Sequence, residues 1–257
     1  MVLNAIQMGD GPPVVLLHGL FGAARNWGSM QRALAPRFRV IALDMRNHGS
    51  SPHAIGMRYA ALAADVLETL GALGALPAAL VGHSMGGKAA MVAALSRPSA
   101  VGRLLVSDIA PVVYHHGNAG IASAMRALPL HPALTRAQAS AALEAAVPDP
   151  NIRAFLLANL TLGPTPSWRI GLAEIEAAIP DREGWEDPGM PPYPGPTLFA
   201  TGTNSAYVLP EHRPDIRALF PASRFVGVKD AGHWVHADNP AGFLSVLEAF
   251  LHTWSAR

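Results

Sequence analysis

The amino-acid sequence predicts an α/β fold with a mostly parallel, doubly wound sheet and a helical insertion. Short, continuously apolar runs alternate with stretches of helical periodicity, and the central part of the chain lacks such runs. Continuous rather than alternating hydrophobicity is typical of parallel strands that helices cover on both faces. With 257 residues and 50% hydrophobic composition, the chain can bury a large core in one α/β domain.

The order of the elements supports this fold class. The candidate strands are residues 14–18, 38–44, 78–84, 103–108, 197–202 and 224–228. Apolar residues at helical spacing predict helices over residues 59–73 and 241–254, and a further helix is expected over residues 87–96. Alternation of strands and helices in this way favours a doubly wound sheet.

The central segment predicts a separate helical cap. Residues 111–186 contain Ala/Leu-rich helical stretches interrupted by prolines and no convincing strand. We therefore expect a core made of residues 1–110 and 187–257, with the insertion over the carboxyl edge of the sheet, where open α/β folds bind ligands. Residues 187–196 hold five prolines and two glycines, which suits a connector back into the core.

The composition argues against several classes of function. The 19 basic and 18 acidic residues are scattered and give a net charge of +1, so no nucleic-acid partner is expected. The absence of cysteine excludes disulfides, thiolate metal sites and a cysteine nucleophile. No metal-binding motif of histidines and carboxylates is present, so neither a metal nor another cofactor is expected. We expect no membrane span and a cytoplasmic location, since neither a signal-like start nor a long apolar run is seen.

A Gly-His-Ser-Met-Gly-Gly sequence at residues 82–87 follows the third candidate strand and opens a predicted helix. Glycines on both sides of Ser84 permit a sharp strand-to-helix turn that projects the hydroxyl from the sheet edge. Such a pattern also arises by chance in a glycine-rich chain, where the serine would merely be a polar turn residue. The strand before it and the helix after it make Ser84 the candidate nucleophile.

A serine nucleophile needs a base within hydrogen-bond reach and a group that orients the base. His233 follows the last candidate strand and precedes the last helix, so its loop opens at the same sheet edge as Ser84. We therefore predict His233 as the base, with His236 in the same loop as the alternative.

The arrangement of these residues resembles the α/β-hydrolase superfamily. There the acid most often follows the penultimate strand in a Gly-x-x-Asp sequence, but here residues 202–205 read Gly-Thr-Asn-Ser. Asp108 ends the strand that follows the nucleophile strand, which is an alternative position for the acid in the superfamily, and it is the candidate acid. The alternatives are a capping role for Asp108, with Asp230 or Asp215 as the acid.

Backbone N–H groups are expected to stabilise the oxyanion that forms during acyl transfer. One is the N–H of Met85, which follows the nucleophile at a helix N-terminus. By the superfamily's pattern the other comes from the His-Gly-Leu-Phe-Gly sequence at residues 18–22, with Leu20 as the donor and Phe21 as the alternative.

Six short segments together resemble the small bacterial YbfF-type serine esterases. They are residues 18–22, 26–27, 44–51, 82–88, 108–111 and 232–236. That family uses the displaced acid, which accounts for the serine at position 205. The resemblance implies a Ser84, His233 and Asp108 triad that cleaves small-molecule acyl esters or thioesters through an acyl-enzyme, without a cofactor.

Other activities stay open at this stage. Perhydrolysis and carbon–carbon bond hydrolysis use similar triads, and a non-catalytic ligand receptor could retain the same pocket. A serine rather than an aspartate at the elbow argues against dehalogenase and epoxide hydrolase chemistry. Phe21, Tyr114 and Trp234 are candidate apolar walls of the substrate pocket, although aromatic residues near a sheet edge are as often part of the core.

Overall fold

A seven-stranded sheet forms the centre of the molecule. We describe it from a computed structural model, which describes residues 1–114, 118–185 and 187–254. From edge to edge the strands are β1 (Ala5–Met8), β3 (Arg39–Leu43), β2 (Pro13–Leu17), β4 (Ala78–His83), β5 (Val101–Ser107), β8 (Thr197–Gly202) and β9 (Ser223–Val228). The strand β1 runs antiparallel to β3, and the pairings among the other six are parallel.

Helices cover both faces of the sheet, which explains the continuous hydrophobicity of its inner strands. In β2, Val15 and Leu17 pack on one face while Val14 and Leu16 pack on the other, and all four are fully buried. Such two-sided burial is what a parallel sheet under two helical layers requires. The predicted α/β class with a doubly wound, mostly parallel sheet is confirmed.

The helices of the core form two layers. The helices α2 (Tyr59–Ala72) and α3 (Met85–Ser96) pack against one face, and α1 (Gly28–Leu34) and α10 (Pro240–Leu251) pack against the other. Two shorter helices, α8 (Arg213–Leu219) and α9 (Val235–Asp238), lie in the last connections. The predicted helices over residues 59–73, 87–96 and 241–254 all correspond to helices of the structure.

The insertion lies between β5 and β8. Its helices are α4 (Asn118–Ala127), α5 (Arg136–Leu143), α6 (Pro150–Leu157) and α7 (Leu172–Glu183). Contrary to the expectation of helices alone, β6 (Leu160–Thr161) and β7 (Ser167–Trp168) form a short antiparallel hairpin. Two-residue strands are too short to show any periodicity in sequence. Residue 186, the last of the predicted cap, and residues 255–257, the last of the predicted core, lie outside the described residues.

A buried lysine joins the insertion to the core. Lys88 of α3 is 1% exposed, and its Nζ donates hydrogen bonds to the carbonyl oxygens of Val112 at 2.8 Å and Gly184 at 2.7 Å. These two residues lie on the segments by which the chain leaves and re-enters the core. The ammonium also lies 5.5 Å from the centre of the Tyr59 ring and 4.9 Å from that of Tyr114. The ammonium group of Lys88 therefore holds both connections of the insertion against α3.

Candidate active site

Ser84 lies at the turn between β4 and α3 in a strained backbone conformation. Its φ is 51° and its ψ is −118°, values that a residue with a side chain rarely adopts. Such a conformation places the side chain on the outside of a tight turn, as in a nucleophile elbow. The predicted nucleophile therefore stands at the carboxyl end of a central strand, next to the start of a helix.

Two glycines of the elbow permit this turn because the backbone passes very close to them. A Cβ on Gly82 would lie 2.3 Å from the carbonyl oxygen of Gly86, and a Cβ on Gly86 would lie 2.5 Å from that of Leu17. Backbone atoms at such distances cannot move aside without displacing the strand. The glycine pattern of the sequence thus reflects a steric requirement.

Asp108 and His233 are hydrogen-bonded to each other at the same edge of the sheet. The Nδ1 of His233 lies 2.8 Å from Oδ2 of Asp108, whose side chain is fully buried. Asp108 directly follows β5 and has a positive φ of 52°. Because a carboxylate only accepts, this contact places the proton on Nδ1 and leaves Nε2 of the neutral ring as an acceptor. Residues 125 positions apart in sequence meet here.

Ser205, the residue in the place of the usual acid, binds the carboxylate of Asp108. Its hydroxyl donates to Oδ2 of Asp108 at 2.5 Å, and the N–H of Gly202 donates to Oδ1 at 3.2 Å. The Ser205 hydroxyl oxygen also accepts from the N–H of Tyr207 at 3.2 Å. The carboxylate of Asp108, the candidate acid, is therefore held by the loop after β8.

The alternative acids lie at the surface, and the alternative base, His236, lines the cavity without a carboxylate partner among the described residues. Asp215 and Asp230 are both exposed at the surface. The ring of His236 stacks on Trp27 with centroids 4.2 Å apart, and its Nδ1 is buried without a hydrogen-bond partner among the residues that the structure describes. Only the pairing of Asp108 with His233 brings a carboxylate to an imidazole near Ser84 within the described chain.

Sequence reasoning missed the groups that hold the His233 ring. The Tyr207 ring stacks on it with centroids 3.6 Å apart and an interplanar angle of 15°. The backbone of the same residue is held by His83, whose Nε2–H donates to the carbonyl oxygen of His233 at 2.8 Å. The position of His83 in the elbow was visible in the sequence, whereas nothing in the sequence marks Tyr207, since its role depends on how the loop after β8 folds.

The loop at residues 18–22 packs directly against the nucleophile. A Cβ on Gly19 would lie 2.9 Å from Nδ1 of His83 and 3.2 Å from Cβ of Ser84, so a residue with a side chain here would require these two side chains to shift. The N–H of Phe21 donates to Nε2 of His48 at 3.1 Å. The N–H of Leu20 has no backbone hydrogen-bond partner within the described part of the chain. Of the two predicted donors in this loop, Leu20 is thus the one with an uncommitted N–H.

Met85 offers the second predicted donor. It is the first residue of α3, and the first N–H groups of a helix have no acceptor within the helix. The positive end of the helix dipole lies at the same place, which favours negative charge beside Ser84.

A cavity of about 220 Å³ opens at Ser84 and His233. The predicted wall residues Phe21, Tyr114 and Trp234 all line it. Besides Tyr114, the insertion supplies Ile121, Ile152, Phe155 and Leu156, which the sequence analysis did not single out. Apolar side chains from both the core and the insertion therefore surround the space next to the nucleophile.

Buried histidines surround the site in the neutral form. Loss of hydration lowers the pKa of His18 and that of His236 to about 4, and it places the pKa of His83 well below its ordinary value. Burial also raises the pKa of Tyr114, so that its hydroxyl stays protonated. The hydroxyl accepts from the N–H of Ala110 at 2.9 Å and donates to the carbonyl oxygen of Tyr207 at 2.6 Å.

Comparison with known proteins identifies the family. The model of the alpha/beta hydrolase fold family matches residues 12–240, which is most of the chain. The chain belongs to the α/β-hydrolase family. Within the family, it is 42% identical to the mouse "sn-1-specific diacylglycerol lipase ABHD11" over 93% of this chain and 81% of the relative. It is 38% identical to "Esterase YbfF" of Escherichia coli, over 95% of this chain and 94% of that protein.

A solved α/β hydrolase shows the same architecture over nearly the whole length. The protein described as "Marine microorganism esterase" superposes with a TM-score of 0.94 at 33% identity, over 97% of this chain and 99% of that one. The resemblance to YbfF-type esterases is confirmed, and with it the prediction of a carboxylic ester hydrolase. Among the described residues, no helix of this hydrolase combines the length and apolarity needed to cross a bilayer.

Proposed function

We propose that this α/β hydrolase cleaves small-molecule acyl esters or thioesters through an acyl-enzyme on Ser84. The observation that carries the proposal is the 2.8 Å contact between Nδ1 of His233 and the buried Asp108 carboxylate, at a cavity that Ser84 also lines. The contact leaves Nε2 of His233 as an acceptor for the serine proton. The names of the esterase and lipase relatives support ester substrates for this chain.

Acylation follows from this arrangement. The Oγ of Ser84 bonds to the substrate carbonyl carbon while its proton passes to Nε2 of His233. The carbonyl oxygen becomes an oxyanion, which the N–H groups of Leu20 and Met85 stabilise. Collapse of this intermediate breaks the bond to the leaving alcohol or thiol, which takes the proton from His233. Asp108 stabilises the transient imidazolium and does not accept its proton.

Deacylation repeats the sequence with water. His233 takes a proton from water as the hydroxide oxygen bonds to the acyl carbon, and the second tetrahedral intermediate expels Ser84, which recovers its proton. The products are the carboxylic acid and the free enzyme. In this proposal residues 111–186 act as a cap over the cavity, while residues 1–110 and 187–257 form the catalytic core.

The proposal is tested with p-nitrophenyl butyrate and a matched butyryl thioester. Ser84→Ala should lower kcat by about 10⁴-fold or more, and Asp108→Asn by about 10³-fold to 10⁴-fold, because the acid fixes the tautomer of the base. Asp230→Asn serves as the matched control, since Asp230 is exposed, and should leave kcat unchanged. Substantial turnover by folded Ser84→Ala, or loss of activity in Asp230→Asn with activity retained in Asp108→Asn, would contradict it.

A further inference from the structure

A residue of the insertion is hydrogen-bonded to the loop of the predicted oxyanion hole. Asn159 follows α6 and is 1% exposed. Its Nδ2 donates to the carbonyl oxygen of Phe21 at 2.7 Å, across 138 positions of sequence. Asn159 does not line the cavity, in contrast to Phe155 and Leu156 of the preceding helix. Its contact with the site is therefore with the protein backbone.

The contacted residue is strained and bound on both sides. Phe21 has a φ of 60°, in the left-handed region that a residue with a Cβ normally avoids. Its N–H donates to Nε2 of His48 at 3.1 Å, and the His48 ring is in turn held by its Nδ1–H, which donates to the carbonyl oxygen of Arg46 at 2.8 Å. Strained backbone of this kind persists only where the surroundings fix it. Here His48 holds one peptide group of Phe21 and Asn159 holds the other.

These contacts determine where the neighbouring N–H points. The peptide group between Leu20 and Phe21 is fixed by His48, and the next one by Asn159, so the φ and ψ of Phe21 are set from both ends. The N–H of Leu20 belongs to the preceding peptide group, so its direction depends on the conformation of Phe21. An oxyanion donor is effective only when it lies about 2.7–3.1 Å from the position of the developing charge, and this position must be held to within about 0.5 Å.

We propose that Asn159 is a positioning residue for the oxyanion hole, by which the insertion orients the Leu20 N–H toward the reacting carbonyl. The inference rests on the proposed function of Ser84 and Leu20. It gives the insertion a part in the chemical step as well as in the wall of the cavity. The acid, base and nucleophile all belong to the core, so this contribution is a separate one.

The side-chain amide of Asn159 has only one orientation that satisfies its neighbours. Nη2 of Arg25 donates to Oδ1 of Asn159 at 3.2 Å and to the carbonyl oxygen of Ala158 at 2.9 Å. The oxygen of the amide therefore faces a cation while its nitrogen faces the Phe21 carbonyl. In Asn159→Asp the contact with Arg25 is retained, but a carboxylate oxygen faces the carbonyl oxygen and repels it.

The test compares Asn159→Asp with Asn151→Asp, the same change at an exposed position of α6. For each variant and the wild type, kcat and KM are measured with p-nitrophenyl butyrate, and the inhibition constant of an alkyl trifluoromethyl ketone is measured. That ketone bonds to Oγ of Ser84 and forms an oxyanion in the same hole. We expect Asn159→Asp to lower kcat by about 10-fold to 100-fold and to weaken the ketone by a similar factor, with KM changed less than about threefold.

The control should match the wild type in all three constants. Asn159→Ala removes the donor without adding a charge, so it should show the same pattern with a smaller loss. This variant provides the test if Asn159→Asp does not fold. The inference is overturned if a folded variant retains kcat within about twofold, if kcat falls with unchanged ketone affinity, or if KM alone rises. Failure of the proposed function is distinguishable, because the wild type itself would then not hydrolyse the ester.

Discussion

Backbone strain is concentrated at the candidate active site. Among the described residues with a side chain, five have a positive φ, and three of them, Ser84, Asp108 and Phe21, lie at the site. Each such conformation costs on the order of 1 kcal/mol. Close glycine packing fixes Ser84, and hydrogen bonds fix the other two. The contacts of the folded protein thus maintain positive φ angles that these residues would not adopt in an unfolded chain.

The steric requirement at the elbow predicts a large effect of one methyl group. Gly86→Ala would place a Cβ 2.5 Å from the carbonyl oxygen of Leu17 and 2.7 Å from that of His18, at the start of the loop that carries Leu20. We expect a loss of about 1–3 kcal/mol in the free energy of unfolding, measured in urea, together with a marked fall in kcat.

Gly71→Ala is the matched control for this change. Gly71 lies in α2, and a Cβ there meets no atom within 4 Å, so the variant should gain up to about 1 kcal/mol and keep its activity. Equal stability of the two alanine variants would show that the close approach at Gly86 does not hold.

The hydroxyl of Ser205 predicts a second effect at the scale of one residue. Ser205→Ala removes the donor to Oδ2 of Asp108 and the acceptor of the Tyr207 N–H. A hydrogen bond to a charged group contributes about 1.5–3 kcal/mol, so we expect kcat/KM for p-nitrophenyl butyrate to fall by about tenfold or more. Ser223→Ala is the control, because that buried hydroxyl has no partner among the described residues. Unchanged kcat/KM in folded Ser205→Ala would refute a role for the hydroxyl.

The sequence analysis singled out residues in the loops that follow strands and missed residues whose contacts with the site depend on other segments. Ser84, Asp108 and His233 each stand at the carboxyl end of a predicted strand, so topology alone brings them to one edge. The roles of Tyr207 and Asn159 depend on contacts with loops far away in sequence. Such contacts leave no periodicity or motif in a single chain.

At the scale of elements, strands are predictable where an apolar run marks them, as in the buried inner strands and in the partly exposed edge strand β9. The inner strands are buried on both faces, and each was predicted to within a few residues. The edge strand β1 was missed because its residues are half exposed, with Ile6 at 37%, so no apolar run marks it. The insertion was predicted by the absence of strands, but its hairpin was too short to be seen.

The two connections to the insertion depend on Lys88. Lys88→Met keeps the length of the side chain and removes the hydrogen bonds to the carbonyl oxygens of Val112 and Gly184. A buried carbonyl left without a partner costs about 1–3 kcal/mol, and these two are partly accessible to water, so we expect a fall of about 1–3 kcal/mol in the free energy of unfolding. Because the connections lead to helices that line the cavity, KM should rise as well.

Lys88→Arg tests whether a cation of different shape can replace the lysine at this position. It keeps a cation with several donors, and should therefore recover part of the stability that Lys88→Met loses, as measured by urea unfolding and by KM for p-nitrophenyl butyrate. If Lys88→Met were as stable as the wild type, the lysine would not hold the two connections together.

For the whole molecule, the site is assembled from distant parts of the chain over a layer of neutral imidazoles. His18 illustrates how such a ring is used, because its Nε2 accepts from the N–H of Met45 at 2.9 Å and its Nδ1–H donates to the carbonyl oxygen of Gly19 at 2.7 Å. Protonation would replace the acceptor by a second donor facing an N–H. Burial of these rings therefore links the integrity of the site to pH.

The pKa values determine the direction of this dependence. The pKa of His18 and that of His236 are lowered to about 4 in the folded protein, compared with about 6.5 in the unfolded chain. Between these values the unfolded chain binds more protons, so the free energy of unfolding is largest above pH 6.5 and falls as pH drops toward 4. Each group contributes about 1.4 kcal/mol per pH unit, or on the order of 3 kcal/mol over the window. Urea unfolding at pH 7.5, 5.5 and 4.5 measures this dependence of the free energy of unfolding on pH.

His236→Phe isolates one of these contributions. The ring of His236 stacks on Trp27, and its Nδ1 has no partner among the described residues, so phenylalanine can take its place without losing a hydrogen bond at that atom. The variant should be at least as stable as the wild type at pH 7.5 and more stable at pH 4.5, because it has no proton to bind on unfolding. Identical pH dependence of the two proteins would mean that His236 is not buried in its neutral form.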